Sequence, residues 1–258
     1  MNFKILTGVL TGLVVSTTTG LVNCQPSYAE NKSFSLRIPI DQSFRLLAST
    51  KVDVGAQVAS EALTQNQTAE EFYNQAVEKY KAGDYPGAIE SYTQAIKLNP
   101  NYAEAYNDRG VVRSNLGDKK GAIADFDQAI KIKPNDANAY INRGNLRDES
   151  GDRQGAIADY DQAIKNNPNN ATAYVNRGNV RDDSGDSQGA IADYEQALKI
   201  NPNYALAYYN RGITRSRLKD KQGAIADLQK STELFQKQGN KVLYEKAINI
   251  INRLQESP

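Results

Sequence analysis

Pro100, Pro134, Pro168 and Pro202 stand 34 residues apart, and the sequence around them repeats with the same step. A fixed period of this length describes a stack of like units, each burying its apolar face on its neighbours, in place of one globular core. With each proline at position 32, the units are 69–102, 103–136, 137–170, 171–204 and 205–238. Position 4 is aromatic in all of them (Phe72, Tyr106, Tyr140, Tyr174, Tyr208), and position 8 is small (Ala76, Gly110, Gly144, Gly178, Gly212). Position 20 is alanine (Ala88, Ala122, Ala156, Ala190, Ala224). Position 24 is large (Tyr92, Phe126, Tyr160, Tyr194, Leu228), and position 27 is small from Ala95 to Ser231.

The steps from 4 to 8 and through 20, 24 and 27 are helical, so each unit reads as two helices and the chain as all-α. Small residues let two helix backbones approach while the aromatic rings fill the space between them. Between the helices stand Gly83-Asp84, Gly117-Asp118, Gly151-Asp152 and Gly185-Asp186. Glycine can end the first helix in the left-handed conformation, and aspartate suits the turn that starts the second. Proline at position 32 then stops the second helix.

On these residues the chain resembles the tetratricopeptide repeat, matched at positions 4, 8, 20, 24, 27 and 32 over residues 69–238. The resemblance implies a right-handed α-solenoid of helix-turn-helix hairpins that binds proteins without catalysis. The last unit departs from the pattern, with Lys219 for the turn glycine, Ser231 for alanine and Gln236 for proline. Terminal repeats are commonly atypical because one face meets a cap or solvent. Residues 239–258 are expected to supply a capping helix and tail, with Leu243, Ala247, Ile250, Ile251 and Leu254 on one helical face.

The first 29 residues read as a signal peptide: Lys4, an apolar stretch from Ile5 to Val22, and the small-x-small Ser27-Tyr28-Ala29 before Glu30. Ser, Thr and Gly dilute the apolar run, so no stable membrane span is expected once the signal is removed. Export to a periplasm or an internal lumen follows. Leu21-Val22-Asn23-Cys24 offers the alternative of a lipoprotein acylated at Cys24, although Asn23 stands where that box has a small residue. Residues 30–68 lack the repeat, are rich in Ser, Gln, Ala and Thr, and read as a linker with one short amphipathic element around Val54–Leu63.

The chain has no histidine and one cysteine, Cys24, which excludes Ser-His-Asp, Cys-His and histidine–metal chemistry. No cofactor is expected. Carboxylate acid–base catalysis stays chemically open, but no enclosing pocket is foreseen, and the chain is read as a non-enzyme. Lys and Arg total 31 against 30 Asp and Glu, with no basic footprint, so no nucleic-acid partner is expected. An RNA-binding solenoid is kept as an alternative.

Positions 2, 6, 9 and 13 of the first helix lie opposite the aromatic at position 4. In tetratricopeptide domains these positions, with 5 and 12, face the groove where partners bind. Carrying that over gives Asn74, Asp108, Asn142, Asn176 and Asn210 at position 6, and Asn145 and Asn179 at position 9. Positions 12 and 13 add Asp148, Glu149, Asp182 and Asp183. An asparagine amide can pair with both C=O and N–H of an extended peptide. The central carboxylates would favour a Lys or Arg on that peptide. Tyr73 and Tyr80 at one end and Tyr209 with Ile213 at the other are candidate apolar anchors. The expected partner is a protein or peptide, basic in its middle; self-association through an end of the stack stays open. Family members that clamp acidic C-terminal tails use Lys, Arg and Asn at positions 2, 5, 6 and 9. Here position 5 is Tyr73, Asn107, Ile141, Val175 and Tyr209, and position 2 carries no base, so that clamp is absent.

Two further patterns have structural readings. Arg109, Arg143, Arg177 and Arg211 at position 7, and Arg113, Arg147, Arg181 and Arg215 at position 11, co-occur with Asp125, Asp159, Asp193 and Asp227 at position 23. The first unit has Gln75, Lys79 and Ser91 instead, which suggests that these arginines and aspartates pair across the hairpin. Asp182-Asp183-Ser184-Gly185-Asp186 superficially resembles a calcium loop, but Ser187 occupies the sixth position, where such a loop needs glycine, and no metal is expected. Asn166 at position 30 replaces an aliphatic residue and marks the softest junction.

Overall fold

The five Gly-Asp and Lys-Asp turns show how the sequence sets each hairpin. A computed structural model describes residues 68–256, all of them within one compact unit. The expected signal peptide, Cys24 and the expected linker up to residue 67 lie outside the described residues. Gly83, Gly117, Gly151 and Gly185 take φ between +80° and +91°, and Lys219 adopts the same left-handed conformation at +64°. The aspartate that follows caps the next helix, accepting a hydrogen bond from the backbone N–H three residues on, as Asp152 does from Gly155 N at 2.9 Å. That next residue is glycine for a reason: a Cβ at Gly155 would lie 2.1 Å from Asp152 Oδ2.

The described chain is all-helical. Helix α1 is described over 68–81. It is followed by α2 (Tyr85–Leu98), α3 (Ala103–Asn115), α4 (Lys119–Ile132), α5 (Ala137–Glu149) and α6 (Arg153–Asn166). Then come α7 (Ala171–Asp183), α8 (Ser187–Ile200), α9 (Ala205–Arg217), α10 (Lys221–Lys237) and α11 (Lys241–Glu256). Asn99, Lys133, Asn167 and Asn201, each just before a proline, leave the helix at φ near −130° because the proline ring disfavours helical backbone in the residue before it. With Gln236 in proline's place, α10 runs for 17 residues where α4, α6 and α8 run for 14.

Each helix packs on the next in sequence, and α3, α5, α7 and α9 also touch one another, forming a continuous inner layer. This is an α-solenoid. Tyr92, Phe126, Tyr160, Tyr194 and Leu228 are almost wholly buried between the layers. Helix α11 closes the C-terminal end, with Ala247 and Ile251 packed on Leu228 and helped by Ile250 and Leu254. No helix among the described residues is long and apolar enough to cross a membrane.

A lattice of arginines and aspartates pins the units together. Arg143 donates from Nε and Nη2 to the two oxygens of Asp159 (3.0 and 2.6 Å), and Arg147 Nη1 adds a third bond at 2.8 Å. Arg143 Nη1 also reaches back to Asp127 of the preceding unit at 2.6 Å. Burial works against the Arg143 charge, but its hydrogen bonds to Asp159 and Asp127 prevail and hold the guanidinium above its ordinary pKa. Its guanidinium lies over the Tyr140 ring at 5.6 Å, and the same stack recurs in four units. The first unit keeps a single bond in this place, Lys79 Nζ to Ser91 Oγ at 2.9 Å. Both guanidinium rows are thus engaged within the stack.

Candidate partner-binding groove

The inner layer places position 6 of one unit against position 9 or 5 of the unit before. Asn176 donates Nδ2 to Asn145 Oδ1 (2.8 Å), which also accepts from the Tyr160 hydroxyl (2.8 Å). One unit later Asn210 donates to Asn179 Oδ1 (2.8 Å), which accepts from the Tyr194 hydroxyl (2.9 Å). Asn142 donates to Asn107 Oδ1 (3.0 Å), and Asn107 in turn donates to Asp108 Oδ1 (3.0 Å). Asp108 Oδ2 accepts from the Tyr73 hydroxyl at 2.7 Å. Burial and this hydrogen bond to Asp108 both push the Tyr73 hydroxyl above its ordinary pKa, so it stays a donor.

These bonds fix the asparagine amides and use one of the two N–H donors of each. Asn142, Asn176 and Asn210 each keep a carbonyl oxygen and one N–H without a partner among the described residues, in a set orientation. An amide held by its neighbours loses little entropy when it grips a third group. Sequence reasoning placed these residues on the groove but missed that they bond to one another, and it missed Asn107 as a member of the chain.

The four carboxylates expected at the centre do not act alike. Asp182 is buried and fully engaged: it accepts from Thr214 Oγ1 (2.7 Å) and Ser187 Oγ (2.8 Å), and it pairs with Arg217 Nη2 at 2.6 Å. It therefore ties α7 to α9 and is not open to a ligand cation, a correction to the expected acidic cluster. Thr214 was the available signal, a hydroxyl at position 10 where α3, α5 and α7 carry Val112, Leu146 and Val180. Glu149 lies 3.7 Å from Lys119, an exposed pair of little strength. Asp148 and Asp183 are left with no ion pair among the described residues. Burial, then the Asp183 charge, raises the Asp148 carboxyl above the usual aspartate range; Arg153 opposes this and Glu149 adds to it.

Two depressions meet at Asp148 and Asn179. One, of about 340 Å³, is also lined by Asp182, with its charge taken up by Arg217, and by Asp183, Tyr194, Asn210, Ile213 and Arg217. The other, of about 300 Å³, adds Asn145, Glu149, Tyr160 and Asn176. The structure thus gathers most of the anticipated groove residues into one polar trough.

The aromatic anchors are placed differently from expectation. Tyr209 meets Phe235 edge-on at 5.9 Å and packs beneath α11, so its ring holds the cap. Tyr73 stacks on Tyr102 at 5.0 Å within the first core cluster. Tyr80 packs on Tyr85 at 5.6 Å. Asn74 lies apart from the amide chain, in a separate depression with Glu71, Gln75, Glu78 and Lys79. Ile213 alone of the proposed anchors lines the trough. In the calcium-like segment Asp182 is held by Thr214, Ser187 and Arg217, and Asp186 caps α8.

Comparison with known proteins gives concordant results. Profiles described as TPR repeat or tetratricopeptide repeat match residues 77–117, 103–136, 141–205 and 193–226. The second of these coincides with one whole 34-residue unit. No curated protein matches the sequence. Among solved structures, a MamA protein is 26% identical with a TM-score of 0.59, covering 68% of this chain and 96% of its own. A MamA fragment from Desulfovibrio magneticus RS-1 is 22% identical with a TM-score of 0.60, covering 66% and 97%. YrrB, described as a TPR protein with an unusual peptide-binding site, is 21% identical with a TM-score of 0.57, covering 74% and 97%.

Proposed function

This chain belongs to the tetratricopeptide repeat family, a scaffold for protein–protein interaction, and from that premise we propose that it holds an extended segment of a partner protein along its inner face. The observation that carries this reading is the amide chain, in which Asn142, Asn176 and Asn210 are each held by a neighbour and each keep one acceptor and one donor. Backbone recognition needs that pair of groups at regular intervals. Asp148 and Asp183, with no ion pair among the described residues, favour a Lys or Arg in the middle of the segment. The arginines at positions 7 and 11 are spent on the stack, which argues against an anionic ligand such as RNA. The role is binding, without catalysis.

Crosslinking and pull-down from the native host test this directly. Specific partners should be recovered by the unaltered chain and lost with Asn142→Ala, Asn176→Ala and Asn210→Ala combined, while the helical melting curve persists. Partners retained at equal yield by a folded triple variant would refute recognition by the amide chain.

We also propose that the scaffold works after export, on the strength of the apolar stretch and Ser27-Tyr28-Ala29. Mass spectrometry of the native amino terminus should show a start at Glu30. An acylated Cys24 would instead favour the membrane-tethered alternative.

A further inference from the structure

The trough does not end at the last repeat. Its larger depression shares Ile213 and Arg217 with a neighbouring one of about 330 Å³, formed between α9 and α11. The walls of this notch are Ile213 from the repeat and Ile250 and Leu254 from the capping helix, with Arg253 at its rim. Arg217 stands between the two and is neutralised by Asp182. Arg253 donates only its Nε, to the Asn249 carbonyl at 3.3 Å, and has no ion pair among the described residues. Along the inner face the chemistry therefore runs from acidic (Asp148, Asp183) to apolar (Ile213, Ile250, Leu254) to basic (Arg253).

We propose that the capping helix is part of the recognition surface, and that the partner segment carries, in order, a basic residue, an aliphatic or aromatic residue, and an acidic group. This rests on the groove reading and specifies its occupant. Asp183 ends α7, one helix of the inner layer before α9, where the notch begins. Packed helices lie about 8–10 Å apart, and an extended chain advances about 3.3 Å per residue, which places the basic and apolar residues about three positions apart. The complementary charge at each end fixes the direction as well as the register, since a reversed segment would set its acid on Asp148 and its base on Arg253.

The test is selection from a displayed library of random twelve-residue peptides on the full chain, compared with three variants, one of them the Asn142→Ala, Asn176→Ala, Asn210→Ala chain. Selected peptides should share Lys or Arg, then Leu, Ile, Phe or Tyr about three positions away, then Asp or Glu. Ile250→Ser with Leu254→Ser should remove the apolar preference and keep the basic one. Arg253→Glu, an exposed change that leaves the core intact, should replace the terminal acid by a base. A wild-type pool that keeps its basic residue with no apolar or acidic partner at fixed distance overturns the notch and leaves the groove reading standing. A pool with neither a basic preference nor dependence on Asn142, Asn176 and Asn210 overturns both. An Arg253→Glu pool with the wild-type acidic preference overturns the assigned direction.

Discussion

Replacing Asp159 by alanine removes the acceptor of three arginine hydrogen bonds, at 3.0, 2.6 and 2.8 Å. Its side chain is 3% exposed, against 15% for Arg143 and 27% for Arg147, so both guanidinium groups would be left partly buried opposite a void. Breaking a buried pair from one side costs about 3–5 kcal/mol. Arg143 keeps Asp127, which is half exposed, so the lower end of that range, about 3 kcal/mol, applies here. With a urea slope of about 2 kcal/mol/M, the unfolding midpoint followed by circular dichroism should fall by about 1.5 M. Asp127→Ala removes an exposed acceptor and should cost about 0–1 kcal/mol. The decisive comparison copies the first unit, which carries Gln75, Lys79 and Ser91. The combined Arg143→Gln, Arg147→Lys, Asp159→Ser variant leaves no guanidinium facing an empty site and should be less destabilised than Asp159→Ala alone. A triple variant weaker than the single one, or an Asp159→Ala as mild as Asp127→Ala, would refute the argument from uncompensated charge.

Lys219 holds a left-handed φ of +64° where the other units have glycine, so Lys219→Gly should raise stability by about 1 kcal/mol in the same urea assay. Because the folded-state pKa of Asp148 is raised by burial and the Asp183 charge, ionising it costs stability. That loss sets in as pH rises from the unfolded aspartate pKa of about 3.9 through the higher folded value, and Asp148→Asn should abolish this part of the pH dependence and stabilise the chain at neutral pH. A basic ligand should correspondingly dissociate on acidification at a higher pH than ordinary aspartate chemistry implies, as fluorescence titration would show. Asn166 lies half-exposed at position 30 and bonds the Pro134 carbonyl of the preceding unit at 3.1 Å, so Asn166→Ile should slow hydrogen exchange at the 103–136 and 137–170 junction; unchanged protection would show that the junction is not soft.

Much of the architecture was legible because its determinants are local. Proline forces the residue before it out of the helix, Gly-Asp turns and caps, and a small residue facing an aromatic ring sets hairpin packing; all of these recur within 34 residues. The co-occurrence of arginine and aspartate was readable for the same reason, since both partners belong to one unit. The link from Arg143 to Asp127 was not, because it crosses between units and depends on how the hairpins stack. The glycine three residues after each capping aspartate was visible as a repeat, but its cause is the approach of the Asp side chain to its Cα, a distance no spacing rule gives.

The groove divides along the same line. Periodicity determined the all-helical stack and the face opposite the aromatic at position 4, because a helix of 3.6 residues per turn fixes the direction of each side chain, and the family resemblance implied that this face lines the groove. Only the tertiary structure decided what those side chains are free to do. Residues 31 and 35 apart meet as Asn176 with Asn145 and as Arg217 with Asp182, which turns one predicted ligand into a strut and turns loose amides into oriented ones. The packing of α11 likewise took Tyr209 for the cap and put Ile250 and Leu254 beside Ile213 at the end of the trough. Composition says which groups a surface owns; whether a donor, acceptor or charge remains available depends on the neighbours that folding brings within hydrogen-bonding reach.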